Sequence, residues 1–465
     1  MLEARSTAPG TGRRRIVVRV ANALVPRVDL LLLDARLADD TELVDVAVAG
    51  GVITAVGRVS KGQAAGQVIH CAGDVLLPGL IESHLHLDKA LLNERMREQP
   101  ASLADAIGAT GRMKAAFTHD DVYRRGRRVI EMAVRNGTTF IRAHPDIDPI
   151  VGLTSFEALL DLRADHAACV DLQIVAFPQE GILIADGTER LLRRALDLGA
   201  DVVGGCPYQE RDVDDARAHV DLVFDLAEAY DRPVDIHADF ADDPSDGRFA
   251  LAEYIAEVTI RRGFHGRVAL GHLTSLAAAP SEQRARVIER LAEARITVVP
   301  LPATDMHLLG RADRMNVRRG IAPIDELVRS GVNVCYSSNN IRNAFTPYGR
   351  ADLLELGLFL AQVSHLSTRD DLLRVIGMVT HAAARNVGIA DRYGIEPGRQ
   401  ADLVLVGTKS VADVLLDHPA DRLVIKSGRM VARTETRSEM ELPGAAGHPE
   451  QFAARTAGCR SSGPG

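Results

Sequence analysis

Gly79-Leu-Ile-Glu-Ser-His84-Leu-His86-Leu-Asp88-Lys89 follows the turn-forming pair Pro78-Gly79 and sets two histidines two residues apart in a largely apolar run. Side chains at i and i+2 of a β-strand point the same way. His84 and His86 can therefore grip one divalent ion from a single rigid element, which makes this stretch a metal-site expectation and raises the question of what else the chain brings to it.

Working outward, short apolar runs of the kind a parallel sheet buries on both faces recur at 75–81, 138–142, 172–177, 202–205, 234–237, 268–272, 296–301 and 332–337. Amphipathic segments separate most of them, among them 120–135 closed by Asn136-Gly137, 189–198, 214–230, 246–262 and 280–294. Eight strands with intervening helices predict an α/β fold, a (β/α)8 TIM barrel, over residues 73–395. Shorter alternating strands bounded by glycines precede it (30–33, 44–48, 52–56) and follow it (401–406, 423–431). The two ends are expected to build one small β-sandwich-like domain from 28–72 and 396–435. Residues 1–27 read as a loosely held extension and 436–465, rich in Gly, Ala, Ser, Arg and Pro, as a disordered tail.

Composition narrows the function. A chain of 465 residues with 46% apolar residues can fill a core of that size. The net charge of −8 and the lack of a basic cluster argue against a nucleic-acid partner. The five cysteines, Cys71, Cys169, Cys206, Cys335 and Cys459, are scattered with no C-x-x-C spacing, which suits buried thiols in a reducing, cytoplasmic setting. Arg13-Arg14-Arg15 and Ile16-Val17-Val18 begin like a secretory signal, but Arg19 interrupts the apolar run and no small-residue cleavage site follows. Nothing later reaches the length of a membrane span.

In a TIM barrel the reacting groups stand at the C-terminal ends of the strands. His84 and His86 fall there on strand 1, His144 on strand 2, Gln179 after strand 3, His237 on strand 5 and His272 on strand 6. No lysine ends strand 4, where Gly204-Gly205-Cys206-Pro207 stands, so a two-metal site bridged by a carbamylated lysine is not expected.

The segments 175–182 (Val-Ala-Phe-Pro-Gln-Glu-Gly-Ile), 199–204, His307-Leu-Leu-Gly-Arg311, 318–321 and Pro347-Tyr-Gly349 resemble, in wording and order, the cytosine deaminase-like branch of the amidohydrolase superfamily, which includes N-isopropylammelide amidohydrolase. The likeness runs from about Asp29 to Arg433. It implies hydrolysis of a carbon–nitrogen bond, one divalent metal (Zn, Fe, Co or Mn) on His84, His86 and His237, a polarising imidazole at His272 and a substrate contact from Gln179. Asp88 and Lys89 resemble the family's follow-on to the metal pair, and a supporting salt bridge accounts for them equally.

Two positions depart from that pattern. Asn339, in Tyr336-Ser-Ser338-Asn339-Asn340, stands where the family has a metal-facing aspartate, and an amide cannot take up and release a proton near neutral pH. Losing that anion leaves an ion's charge less compensated, which favours deprotonation of its water, so a weaker base such as His272 or Asp239 would suffice. Phe240 stands where the deaminases carry a glutamate, so ring-nitrogen protonation by that route is missing. Hydrolysis of an amide, a cyclic amide or imide, or an amino-substituted N-heterocycle fits better than classical cytosine deamination. Phe240, Asn340 and His144 join Gln179 as expected substrate-site residues. For His144 a role in holding its loop is the competing reading, for Asp239 a helix-leading acid, and for Asn339 and Asn340 plain turn residues. A pseudoenzyme that binds ligand without turnover, and a metal-dependent cyclase or lyase, are the alternative functions. The partner is a small nitrogenous molecule; relatives of this kind commonly form homo-oligomers, and no segment specifies one.

Overall fold

The computed structural model describes residues 27–439 except 40, 60–62 and 97–98. The expected N-terminal extension, apart from Arg27, and the expected tail, apart from residues 436–439, lie outside the described residues, as does Cys459.

Pro78-Gly79 marks a change of sheet. The expected single strand over 75–81 is two strands: Val75–Pro78 pairs antiparallel with Leu403–Val406, while Leu80–Leu85 enters the barrel beside Thr138–Ala143. Gly79 packs directly beneath the Thr139 side chain, where a Cβ would collide with Thr139 Oγ1.

Numbered along the chain, β1 (Val28–Ala35), β2 (Val44–Ala49), β3 (Val52–Gly57) and β4 (Ala65–His70) form one sheet in the order β3-β2-β1-β4. A second sheet joins β5 (Val75–Pro78) to β14 (Leu403–Val406), β15 (Arg422–Lys426) and β16 (Arg429–Thr434). The sequence run expected as one strand at 423–431 is thus a hairpin turned at Ser427-Gly428, both at positive φ. The two sheets share an apolar core in which Leu30, Leu32, Val46 and Ile53 meet Leu76, Leu403 and Ile425. They are also stitched by backbone bonds such as Ile53 N–H to the Arg399 carbonyl. A smaller β unit built from both chain ends therefore accompanies the barrel.

The barrel itself is β6 (Leu80–Leu85), β7 (Thr138–Ala143), β8 (Asp171–Ala176), β9 (Val202–Gly205), β10 (Val234–Ala238), β11 (Val268–His272), β12 (Thr297–Val299) and β13 (Asn333–Val334), neighbouring one another in chain order and all parallel. It closes where the chain beyond β13 meets β6: Leu85 bridges Asn339, Asn339 N–H donates to the His84 carbonyl at 3.0 Å, and His86 N–H donates to the Asn339 carbonyl at 2.8 Å. The last two strands are shorter than the sequence suggests. After Val334 side chains join the backbone bonds: Cys335 N–H still donates to the Val298 carbonyl at 3.1 Å, Ser337 Oγ accepts from His84 N–H at 2.7 Å, and buried Glu82 accepts from the hydroxyls of Ser337 and Ser338.

Helices follow most of the strands, at His119–Arg135, Thr188–Asp197, Val213–Tyr230, Ala252–Arg262 and Ser281–Glu293, close to the expected spans, and at Thr154–His166, for which no span was expected. The exception begins late: 246–251 holds a short turn of 3-10 helix, Gly247–Phe249, and the α-helix starts at Ala252.

Candidate active site

Closure of the barrel brings the strand-1 and strand-5 histidines into contact. His84 lies within β6, His86 just beyond it and His237 near the end of β10. Nε2 of His237 is 3.1 Å from Nε2 of His84 and 3.2 Å from Nε2 of His86, and all three side chains are buried. His86 Nδ1 lies 2.8 Å from the carbonyl of His144, which can only accept, so that nitrogen carries the hydrogen and Nε2 is a bare lone pair. His84 Nδ1 faces the Asp235 carboxylate at 3.6 Å, which favours the same tautomer. One hydrogen on His237 Nε2 cannot serve both neighbours. Converging lone pairs that no protein hydrogen can reconcile suit a cation, and the described residues hold a His84–His86–His237 group compact enough for one. Burial drives the imidazoles toward the neutral, ligating form, His84 down to about 3 and His86 and His237 well below the usual value.

Asp235 supports this cluster from two residues upstream of His237, on the same face of β10. It accepts from Arg142 Nη1 at 2.8 Å and lies 3.3 Å from His144 Nε2; burial opposes its ionisation, but His144, His84 and Arg142 together hold its carboxyl well below the ordinary range. His144 is fully buried, and its ring stacks on His84 with centroids 3.8 Å apart. It packs behind a metal-candidate histidine, a position that accords with the competing reading of His144 as a residue that holds its surroundings in place.

His272 ends β11 at a φ of +75°. Its Nδ1 is 2.6 Å from Asp305 Oδ1, and the Phe240 ring lies over it, 3.8 Å between centroids and 13° from parallel. Phe240 also forms the inner wall of a cavity of about 570 Å³ at the barrel mouth, together with Tyr208, Phe249, Leu308, Arg248 and Arg311.

Lys89 Nζ donates to Asp146 Oδ1 at 2.6 Å and to Gln179 Oε1 at 2.8 Å. An ammonium has no acceptor, so Gln179 must turn its oxygen to Lys89 and its NH2 away, where it lies 3.8 Å from Cys206 Sγ. Lys114 extends the network to Asp146, Asp148 and Glu180, and burial pushes Asp88, whose Oδ2 accepts from Asp146 N–H, up to about 6.

Asn339 is buried at a φ of +58° and its Oδ1 has no partner. Asn340 Oδ1 accepts from Asn343 Nδ2 at 2.7 Å, and its Nδ2 is 3.4 Å from Thr304 Oγ1; it borders a second cavity of about 530 Å³ with Ser338, Met306, His307 and Phe359. Asp239 is not placed as a base. Its carboxylate oxygens accept from Leu251 N–H at 2.7 Å and Ala252 N–H at 3.2 Å, capping the helix that begins at Ala252, and burial pushes it up to about 6.

The structure thus joins His84, His86 and His237, sets His272 and Phe240 against them, and brings Gln179 into the same mouth through Lys89. Sequence reading assigned no role to Asp235 or Asp305. Asp235 carried a signal, the same i, i+2 spacing that marked His84 and His86. Asp305 carried a weaker one, an acid in the first turn of a helix opened by Pro302.

Fold and site define a barrel hydrolase with a histidine cluster able to hold a divalent metal. The chain belongs to the amidohydrolase family, whose model matches residues 67–432, and it is a hydrolase of carbon–nitrogen bonds other than peptide bonds. It is similar to N-isopropylammelide isopropyl amidohydrolase of Pseudomonas sp. strain ADP, with 29% identity over 88% of this chain and 98% of the relative. The crystal structure of 5-methylcytosine deaminase from Klebsiella pneumoniae liganded with 5-fluorocytosine matches with a TM-score of 0.84 and 30% identity over 88% of this chain and 99% of that one. That of N-isopropylammelide isopropylaminohydrolase from Burkholderia multivorans matches with a TM-score of 0.76 and 31% identity, covering 87% and 98%. Among the described residues no helix is long and apolar enough to cross a membrane.

Proposed function

We propose that this chain hydrolyses a small nitrogenous substrate, an amide, a cyclic amide or imide, or an N-heterocycle bearing an amino substituent, with one divalent ion held by His84, His86 and His237. The observation that carries the reading is the meeting of three buried Nε2 atoms at 3.1 and 3.2 Å with too few hydrogens between them. Bound there, zinc, iron, cobalt or manganese would supply Lewis-acid polarisation and an activated water. The names of the relatives, one for N-isopropylammelide and one for 5-methylcytosine, support a nitrogen-ring substrate.

The chain's own groups then divide the work. His272, with Nδ1 turned to Asp305, offers its Nε2 lone pair as proton acceptor and donor. Gln179, its oxygen committed to Lys89, offers N–H to an acceptor on the substrate. Asn339 offers a neutral oxygen and moves no proton, and Phe240 covers the imidazole it stacks on and excludes water. With no acid at 240, a carbonyl attacked directly suits the site better than a ring that must first be protonated. The buried free thiols Cys71, Cys206 and Cys335 accord with a cytoplasmic location.

The test is turnover by metal-reconstituted protein of a panel of cyclic amides and imides, N-isopropylammelide, cytosine and 5-methylcytosine, read as released amine or ammonia or as ring opening. We expect cyclic amides or the N-alkylamino ring to exceed cytosine by at least tenfold in kcat/KM. Cytosine as the best substrate would refute the argument from Phe240, and a panel with no turnover would refute hydrolysis of this class.

A further inference from the structure

We propose that Asp305 is the positioning residue that fixes the tautomer of His272, holding its hydrogen on Nδ1 so that the Nε2 lone pair is presented to the reaction centre. The inference deepens the reading of His272 as proton acceptor and rests on it for its consequence, though not for its geometry.

The Asp305 carboxylate is gripped at both oxygens. Oδ1 lies 2.6 Å from His272 Nδ1, and Oδ2 accepts from Leu301 N–H at 3.0 Å. Asp305 N–H in turn donates to the Leu301 carbonyl at 3.0 Å, so main chain and side chain clamp the same residue at the start of the helix Pro302–Leu308. Asp305 is fully buried, and Arg, Lys and water-facing groups are absent from its described partners. Burial raises the Asp305 carboxyl, while His272 and the Leu301 N–H pull it back down; in its ionised form it only accepts, and the hydrogen between it and His272 then belongs to the imidazole.

The ring is constrained on its other sides as well. Phe240 covers its face, and the backbone runs through positive φ at both His272 (+75°) and Leu273 (+60°), held there by Leu273 N–H donating to the Ala238 carbonyl at 3.1 Å. Non-glycine residues keep such conformations only where their surroundings over-determine them, and such places cluster at working sites. Nε2 of His272 has no protein partner among the described residues. In a site with an amide at 339 and a phenyl ring at 240, this dyad takes the place of the side-chain acids.

The clamp makes asparagine a poor substitute despite its shape. In Asp305→Asn the amide oxygen must go to the Leu301 N–H, which leaves NH2 facing His272 Nδ1. The ring must then accept at Nδ1 and carry its hydrogen on Nε2. The experiment is a two-bond 1H–15N correlation spectrum of zinc-reconstituted protein labelled with 15N-histidine, with His272 assigned by its disappearance in His272→Gln. We expect a protonated Nδ1 and a bare Nε2 in the wild type, and the reverse in Asp305→Asn. Alongside it, kcat on the best compound of the panel should fall by about 10³–10⁴-fold with KM changed little, the scale of loss when a triad aspartate is replaced by asparagine. A wild-type His272 protonated on Nε2, or an unchanged tautomer in Asp305→Asn, would overturn the proposal. The wild-type spectrum decides it even where the variant does not fold. Inversion of the tautomer with turnover retained would uphold Asp305 and overturn His272 as proton acceptor.

Discussion

Asn339 is tied by its backbone to the strand that carries the metal-candidate histidines, through bonds to both His84 and His86, while its side-chain oxygen has no partner. A buried polar atom left unpaired costs about 1–3 kcal/mol, so that oxygen is a place where a cation would be welcome. Replacing the amide by a carboxylate adds a full negative charge where the dielectric is low, and we expect Asn339→Asp to tighten zinc binding by at least tenfold in a competition titration against a chelator. Unchanged affinity would place the side chain away from the ion. The four histidines of the centre were legible in the sequence because each ends an apolar run, and strand ends are where this architecture keeps its chemistry. The partners that orient them were not. Asp305 reaches His272 across 33 positions and Arg142 reaches Asp235 across 93; pairings of that range are made by barrel closure and leave no local pattern. For Asp239 the sequence left a base and a helix-leading acid both open, and its bonds to the N–H groups of Leu251 and Ala252 favour the second.

At the scale of elements, the register of His84 and His86 depends on the change of sheet at Pro78-Gly79. One residue to the N-terminal side the chain pairs with β14; one residue beyond, it pairs with β7. A side chain at 79 would collide with Thr139 Oγ1, Cγ2 and Cβ, and Thr139 is buried. We expect Gly79→Ala to cost about 2–3 kcal/mol in denaturant unfolding, the upper range for overpacking a filled core, and Gly79→Ala/Thr139→Ala to recover part of it. Equal stability of the single variant and wild type would contradict the close packing of Gly79 on Thr139. The apolar run and the turn residues were readable from composition. The switch of sheet was not, because both halves of 75–85 look alike, buried on both faces. The helix expected from Asp246 starts only at Ala252, because Gly247 opens a short 3-10 turn, Gly247–Phe249, that keeps the stretch before it irregular.

For the molecule as a whole, the histidines of β6 and β10 stand over 150 residues apart in sequence, and only a closed ring of eight parallel strands brings their Nε2 atoms to 3.1 and 3.2 Å. The bridge between Leu85 and Asn339 completes that ring at the very strand that carries His84. Fold and proposed centre are for this reason one claim: barrel closure is what brings the three imidazoles together, and the proposed metal-dependent hydrolysis rests on their meeting. Elemental analysis of the full-length protein after reconstitution and removal of loosely bound ions tests this most directly, in the wild type and in His84→Ala and His237→Ala. We expect about one equivalent of zinc, iron, cobalt or manganese per wild-type chain and less than about a tenth of that in either variant, with the fold retained by circular dichroism. A wild-type protein that holds no metal, or variants from β6 and β10 that hold as much as the wild type, would contradict the account.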